Sequence, residues 1–239
     1  MDVFGRQMTD RVHERSFASR DEASVACAAF LAESLTAELG AAGSTSLVVT
    51  GGSSPAACYA ELARKELDWP RVSLVLSDER WVPADDESSN EKLVRESLLV
   101  GPAAAASLLP MYAADVALPD RCKQLDAELQ TLPLPFAACL LGMGQDGHIA
   151  SLFPDAENLQ AALDPNGENW SVAVDTAASP HPRISLTMRA LLNSREFVLL
   201  IFGDAKYAVW QDALAGTADY PVAALLKQEQ VPIHLFWAP

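Results

Sequence analysis

Asp146 and His148, one glycine apart in Leu141-Gly142-Met143-Gly144-Gln145-Asp146-Gly147-His148-Ile149-Ala150-Ser151-Leu152-Phe153-Pro154, are by type and spacing the residues best suited to moving a proton. A carboxylate beside an imidazole favours the protonated ring and fixes which nitrogen carries the proton, which is how a general base is oriented. An isolated histidine is more often structural. Here three features argue otherwise: the acid two residues away, the surrounding glycines, and the apolar run Phe136 to Leu141 that feeds the turn. Glycine lets backbone approach a ligand, and loops on rigid strands carry function. Of the other histidines, His13 falls in a polar start and His234 in a strand, whereas His181, between prolines near Arg183, is placed to border a pocket.

Two further clusters could meet an anion. Gly51-Gly52-Ser53-Ser54-Pro55 follows the β-branched run Leu47 to Thr50 and precedes the helix-forming stretch Ala56 to Leu67, with Pro55 suited to the first helical position. Free N–H groups, hydroxyls and a positive helix end would converge there on phosphate; a plain strand-to-helix turn is the equal alternative. No lysine follows the hydroxyls, so this is not a Walker A loop. The second cluster, Asp78 and Arg80, lies just past the strand Val72 to Leu76, where open α/β sheets bind ligands. Lys206, in Gly203-Asp204-Ala205-Lys206, opens a helix against the helix dipole and would gain from an anion at that end.

Other chemistries fit poorly. Gly142 to Gly147 matches GxGxxG, but mid-chain and with Pro154 too near for the long helix that motif requires, so nicotinamide and flavin binding are rejected. No GxSxG or HExxH occurs, and Cys27, Cys58, Cys122 and Cys139 are widely spaced, reading as reduced residues rather than zinc ligands or nucleophiles. A net charge of −15 disfavours nucleic acid and anionic membranes. The few cations must therefore converge if an anionic small molecule is to bind, and salt should weaken that binding.

The elements that position these residues alternate between strand and helix. Ser19-Arg20-Asp21-Glu22 fits a capping box, and Val25, Ala28, Leu31, Leu35 and Leu39 recur at helical spacing up to Gly40 and Gly43. Ser88-Ser89-Asn90-Glu91 caps a helix to about Leu99, Gly101 to Ala106 is a connector, and Asp120 to Leu132 forms another helix. Asp155 to Asp164 is short and irregular, Val172 to Val174 a strand, and Pro180 to Thr187 an edge or antiparallel strand. Glu196 to Phe202 and Pro232 to Trp237 are strands, and Pro221 to Lys227 is the last helix. This alternation predicts a largely parallel sheet with helices on both faces, in one domain of residues 1–239. No apolar h-region starts the chain and no run of eighteen apolar residues occurs, so neither secretion nor membrane spanning is expected.

Four segments taken together resemble the 6-phosphogluconolactonase family. They are Thr50 to Pro55; Ser77 to Pro83 with Ser89-Asn90; Leu141 to Pro154; and Pro182 to Thr187 with Gly203 to Lys206. The resemblance implies a Rossmann-like three-layer α/β/α domain, cytoplasmic, without cofactor or metal, acting as a monomer or weak homo-oligomer on a sugar phosphate lactone. It implies hydrolysis of 6-phospho-D-glucono-1,5-lactone to 6-phosphogluconate, the second step of the oxidative pentose phosphate pathway. By position, Gly52, Ser53 and Ser54 would hold phosphate with Arg183 and Lys206, while Asp78 and Arg80 would line the sugar. His148, oriented by Asp146, would be the base; Gly51 and Gly144 join the substrate-binding set, and Arg80 the catalytic one. Ser54 replaces a threonine common in relatives and keeps the hydroxyl. Phe236 to Pro239 ends where many relatives continue, and no role is assigned there. The related glucosamine-6-phosphate deaminases typically follow the histidine turn with Phe-Asn-Glu-Pro, whereas this chain has Ser151-Leu152-Phe153-Pro154. A non-catalytic sugar-phosphate sensor would keep the phosphate loop but need no base.

Overall fold

A computed structural model describes residues 11–239; the part of the N-terminal expectation that falls on residues 1–10 lies outside them. The main sheet has seven strands in the order β1-β10-β9-β6-β2-β3-β5, every pairing parallel. These are β1 (Val12–Ser16), β2 (Thr45–Val49), β3 (Val72–Leu76), β5 (Ser107–Leu109), β6 (Ala138–Leu141), β9 (Phe197–Phe202) and β10 (Ile233–Ala238). The central strands β2 and β6 are buried throughout, which suits the apolar residues 47–49 and 138–141. From β2 the chain builds outward through β3 to β5, and from β6 the other way through β9 to β10. The β2/β6 boundary is therefore the switch point, where loops leave in opposite directions and a crevice opens.

A second sheet was not expected. β4 (Asp78–Arg80), β8 (Arg183–Leu186) and β7 (Ser171–Val174) form a three-stranded antiparallel sheet in the order β4-β8-β7. The stretch expected as an edge or antiparallel strand is antiparallel, but β8 is the central strand. Ser77 joins the two sheets: its N–H donates to Val49 O at 2.7 Å, and its carbonyl accepts from Leu186 N–H at 2.8 Å.

The helices are α1 (Arg20–Ala42), α2 (Ala56–Leu62), α3 (Asn90–Ser97), α4 (Leu118–Leu129), α5 (Leu159–Leu163), α6 (Met188–Leu191), α7 (Asp204–Ala215) and α8 (Ala223–Lys227). At the start of α1, Ser19 Oγ accepts from Glu22 N–H at 3.2 Å and Glu22 Oε2 accepts from Ala18 N–H at 3.1 Å. Gly43 ends it in the left-handed conformation, φ 78°. By length and apolarity α1 would pass for a membrane span, yet Cys27, Ala28, Leu31 and Leu35 are fully buried in the core cluster. Val25, expected on that stripe, is 49% exposed. It lies about 100° round the helix from the stripe's centre.

Two local expectations change. α2 stops at Leu62, well short of Leu67, and Pro55 occupies the cap rather than the first helical position. His13, expected in a polar start, lies on the polar strand β1, where its ring stacks on His234 at 4.8 Å.

Candidate active site

A cavity of about 230 Å³ opens at the switch point, lined by Thr50, Gly51, Gly52, Ser53, Ser54, Asp78, Arg80, Asn90, Gly142, Met143, Gly144, His148, Ala150, Arg183 and Lys206. Residues far apart in the chain thus meet in one place. Of the residues singled out in the sequence, only Asp146 and His181 fall outside this lining. Asp146 contacts the lining residue His148, and His181 is not part of the lining.

The turn that carries Asp146 and His148 leaves β6 and folds back on itself. Gly144 N–H donates to His148 O at 2.9 Å and Gly147 N–H to Gly144 O at 3.2 Å. This compact loop brings His148 Nδ1 to 2.6 Å from Asp146 Oδ1. A carboxylate accepts only, so Nδ1 carries the proton and the other ring nitrogen, Nε2, is left as a base. The imidazole is 27% exposed, enough to meet a ligand. Gly144 is required by close approach: a Cβ there would lie 2.3 Å from both Asp146 Oδ1 and His148 Nδ1. Gly144→Ala is therefore expected to part the pair at a stability cost of about 1–3 kcal/mol. The checks are loss of the downfield Nδ1 proton resonance with retained circular dichroism; a retained resonance contradicts the steric argument.

Phe153 packs against this histidine from the cavity's flank. Its ring centroid lies 4.1 Å from that of His148, tilted by 36°, and Arg183 Cζ lies 5.3 Å from the same ring. One aromatic side chain thus props both the base and a cation, the latter through a cation–π contact. Ala150, another lining residue, has φ 48°, an uncommon conformation for a residue with a side chain and of a kind that clusters at functional sites.

The small sheet supplies two of the cations. Arg80 and Arg183 are direct cross-strand partners in the β4/β8 register. Like charges placed opposite one another repel, so this pairing favours an anion between or beside them. Arg80 Nη1 donates to Ser88 O, while its buried Nε has no hydrogen-bond partner among the described residues. Arg183 is held by Ser179 Oγ at 3.1 Å and by Asp78 Oδ2 at 3.5 Å. Burial lowers its pKa, with the Asp78 carboxylate opposing. Asp78 is itself 4% exposed and accepts from Ser77 Oγ at 2.9 Å and Ser151 Oγ at 2.5 Å. It is better placed to orient Arg183 than to reach across the cavity. Ser151, without a role in the sequence reading, is the link between the histidine turn and the small sheet.

At the far wall Lys206 stands in the first turn of α7. Burial lowers its pKa, and the neighbouring Arg20 charge adds to the effect. Ser53 is exposed and Ser54 partly so on the glycine loop, leaving their hydroxyls open to the cavity. Three cations against the single carboxylate of Asp78 make the cavity locally positive on a chain of charge −15.

Known proteins resemble this chain along most of its length. Residues 18–237 match the family model of glucosamine-6-phosphate isomerases/6-phosphogluconolactonase. A 6-phosphogluconolactonase of Caulobacter vibrioides is 40% identical over 227 residues, covering 93% of this chain and 96% of its own. One from Mesorhizobium japonicum is 36% identical over 224 residues, 94% of each chain. The crystal structure of a 6-phosphogluconolactonase from Shewanella baltica superposes with a TM-score of 0.90 at 35% identity, covering 95% of this chain and 98% of that one. The architecture is thus the Rossmann-like α/β fold with helices on both sides of a mostly parallel sheet.

Proposed function

Because the chain belongs to the glucosamine-6-phosphate isomerase/6-phosphogluconolactonase family and is an enzyme of its lactone-hydrolysing kind, we propose that it hydrolyses 6-phospho-D-glucono-1,5-lactone to 6-phosphogluconate, the second step of the oxidative pentose phosphate pathway. The observation that carries this is the oriented His148–Asp146 pair opening onto the same cavity as Arg80, Arg183 and Lys206. The whole chain serves as one unit, in the cytoplasm, with the sugar phosphate as its partner and as a monomer or weak homo-oligomer.

His148 Nε2 takes a proton from water as the water oxygen attacks the lactone carbonyl carbon. The carbonyl oxygen gains negative charge, which the Arg80 guanidinium steadies. Collapse breaks the bond from that carbon to the ring oxygen, and the imidazolium returns its proton to the departing oxygen. The result is the open-chain acid, with no covalent enzyme intermediate. Asp146 keeps Nδ1 protonated throughout and stabilises the transient imidazolium. A δ-lactone is an activated ester, so base and cation suffice and no metal or cofactor is called for.

The glycine loop and cations explain substrate choice. Gly51, Gly52, Ser53 and Ser54 offer N–H and O–H donors to the phosphate, Arg183 and Lys206 supply opposite charge, Asp78 fixes Arg183, and Gly144 leaves room for the sugar ring. Phe153 stands where the resemblance puts the deaminase glutamate, so the carboxylate used in their proton transfers is missing and hydrolysis is favoured over isomerisation. The direct test is an assay of freshly prepared lactone, coupled to 6-phosphogluconate dehydrogenase; no rate above the spontaneous background would overturn the proposal.

Lys206 gives this reading a pH signature. Its pKa lies below the ordinary 10.5, so its charge is lost earlier than a free lysine's as pH rises. Affinity for 6-phosphogluconate, used because the lactone opens spontaneously in base, should therefore fall on the alkaline side before pH 10.5. Lys206→Met should bind about ten- to a hundredfold more weakly at neutral pH, from one lost charge-assisted contact, and show a flatter alkaline limb. Calorimetric titrations across pH test this; an unchanged limb in the variant removes Lys206 from the phosphate site.

A further inference from the structure

Among the cavity-lining residues without a role so far is Asn90, the first residue of α3, which is 3% exposed. Its placement begins with Glu79, fully buried on β4. The Glu79 carboxylate accepts from the N–H groups of Arg80, Asn90 and Glu91 at 2.7, 2.8 and 2.7 Å, and from Ser89 Oγ at 2.9 Å. Burial raises its pKa while those four bonds oppose the shift. The start of α3 is thereby fastened to the small sheet.

Held there, Asn90 donates from Nδ2 to the backbone carbonyl of Asp78 at 2.9 Å. A carbonyl only accepts, so chemistry dictates which end of the amide faces Asp78. The other end, Oδ1, therefore faces away, beside Gly51. A Cβ on Gly51 would lie 1.9 Å from Oδ1, so this close approach requires glycine. The outcome is a neutral, acceptor-only atom at the cavity wall next to the phosphate loop. Asp78, the carboxylate of the cavity lining, has its oxygens engaged by Ser77, Ser151 and Arg183.

We infer that Asn90 Oδ1 accepts a hydrogen bond from a ring hydroxyl of the sugar lactone and is a specificity-determining residue, an inference that rests on the function proposed above. A rigid amide between a fixed carbonyl and a glycine reads the presence of a hydroxyl at one position. It rejects an analogue lacking that hydroxyl, because the oxygen would then be left without a donor.

The test compares kcat/KM for wild type and Asn90→Ala on 6-phosphogluconolactone and on its 2-deoxy, 3-deoxy and 4-deoxy analogues. For wild type, one of the three analogues should lose about ten- to a hundredfold. Asn90→Ala should lose a similar factor on the parent lactone and show no further loss on that analogue. A structural role would instead depress all four substrates by one common factor, and that result, or an unaltered Asn90→Ala, overturns the inference. Asn90→Ser, which keeps a small acceptor, carries the same comparison if the alanine variant melts below assay temperature. Wild type inactive on the parent lactone would overturn the proposed function itself; wild type active without the Asn90 coupling overturns only the hydroxyl contact.

Discussion

Replacing His148 by alanine is expected to lower kcat for lactone hydrolysis by about 10²–10⁴-fold, the range a positioned general base supplies, while KM changes little. The split follows from geometry. His148 is held by Asp146 at 2.6 Å and by the ring of Phe153, and among the described residues it has no hydrogen bond to Arg80, Arg183 or Lys206. Removing the imidazole takes away the group that deprotonates water and leaves the binding end intact. Asp146→Asn should cost less than His148→Ala, because the ring survives while its tautomer and imidazolium stabilisation are compromised. Stopped-flow proton release, corrected for spontaneous opening of the lactone, measures both. A His148→Ala rate within tenfold of wild type would remove the histidine from the reaction.

Arg183→Ala should instead act mainly on binding, weakening 6-phosphogluconate about a hundredfold or more, since it deletes a charge-assisted contact and disturbs its neighbours. Its guanidinium also answers the Asp78 carboxylate at 3.5 Å and rests on the Phe153 ring. Arg183 and Asp78 side chains are 13% and 6% exposed. Truncating one partner therefore strands a buried carboxylate, at a stability cost of about 3–5 kcal/mol. Adding Asp78→Asn to Arg183→Ala should recover much of that stability without recovering affinity. Thermal melts and titration calorimetry on the single and double variants separate the two effects. If Arg183→Ala binds 6-phosphogluconate as tightly as wild type, its assignment to the phosphate is wrong.

What the sequence made legible follows from what is local. The Gly142–Gly147 turn with its acid and histidine, the glycine loop after β2, and the buried strands around them all announce themselves through neighbouring residues. Ser77 to Arg80 was harder. Its charges look like a loop beyond β3, and it becomes a strand only because Arg183 to Ser185 pair with it from a hundred residues away and Glu79 is satisfied by the start of α3. β5, three residues after a small-residue connector, has no periodicity to detect. The α2 boundary was overextended because Ala63 to Leu67 has helix-forming composition, while the chain turns away there. Asn90 and Ser151 carried only ordinary signals, a position after a cap and a serine in a loop; their value lies in contacts with Asp78 that no spacing reveals.

The join at Ser77 bears on how such an enzyme changes over generations. His148, proposed as the general base, follows a strand of the parallel sheet, while Arg183, proposed for the phosphate, rides on the antiparallel one. On that reading descendants can alter the strand that grips a substrate's charged end and keep the histidine turn untouched, so long as Ser77 still knits the two sheets together. Inherited variation in preference and inherited variation in reaction type are largely decoupled in this architecture. Phe153 and Ser151 are exceptions: Phe153 touches both His148 and Arg183, and Ser151 ties the histidine turn to Asp78 and Arg183, so a single heritable change at either would alter the two traits at once.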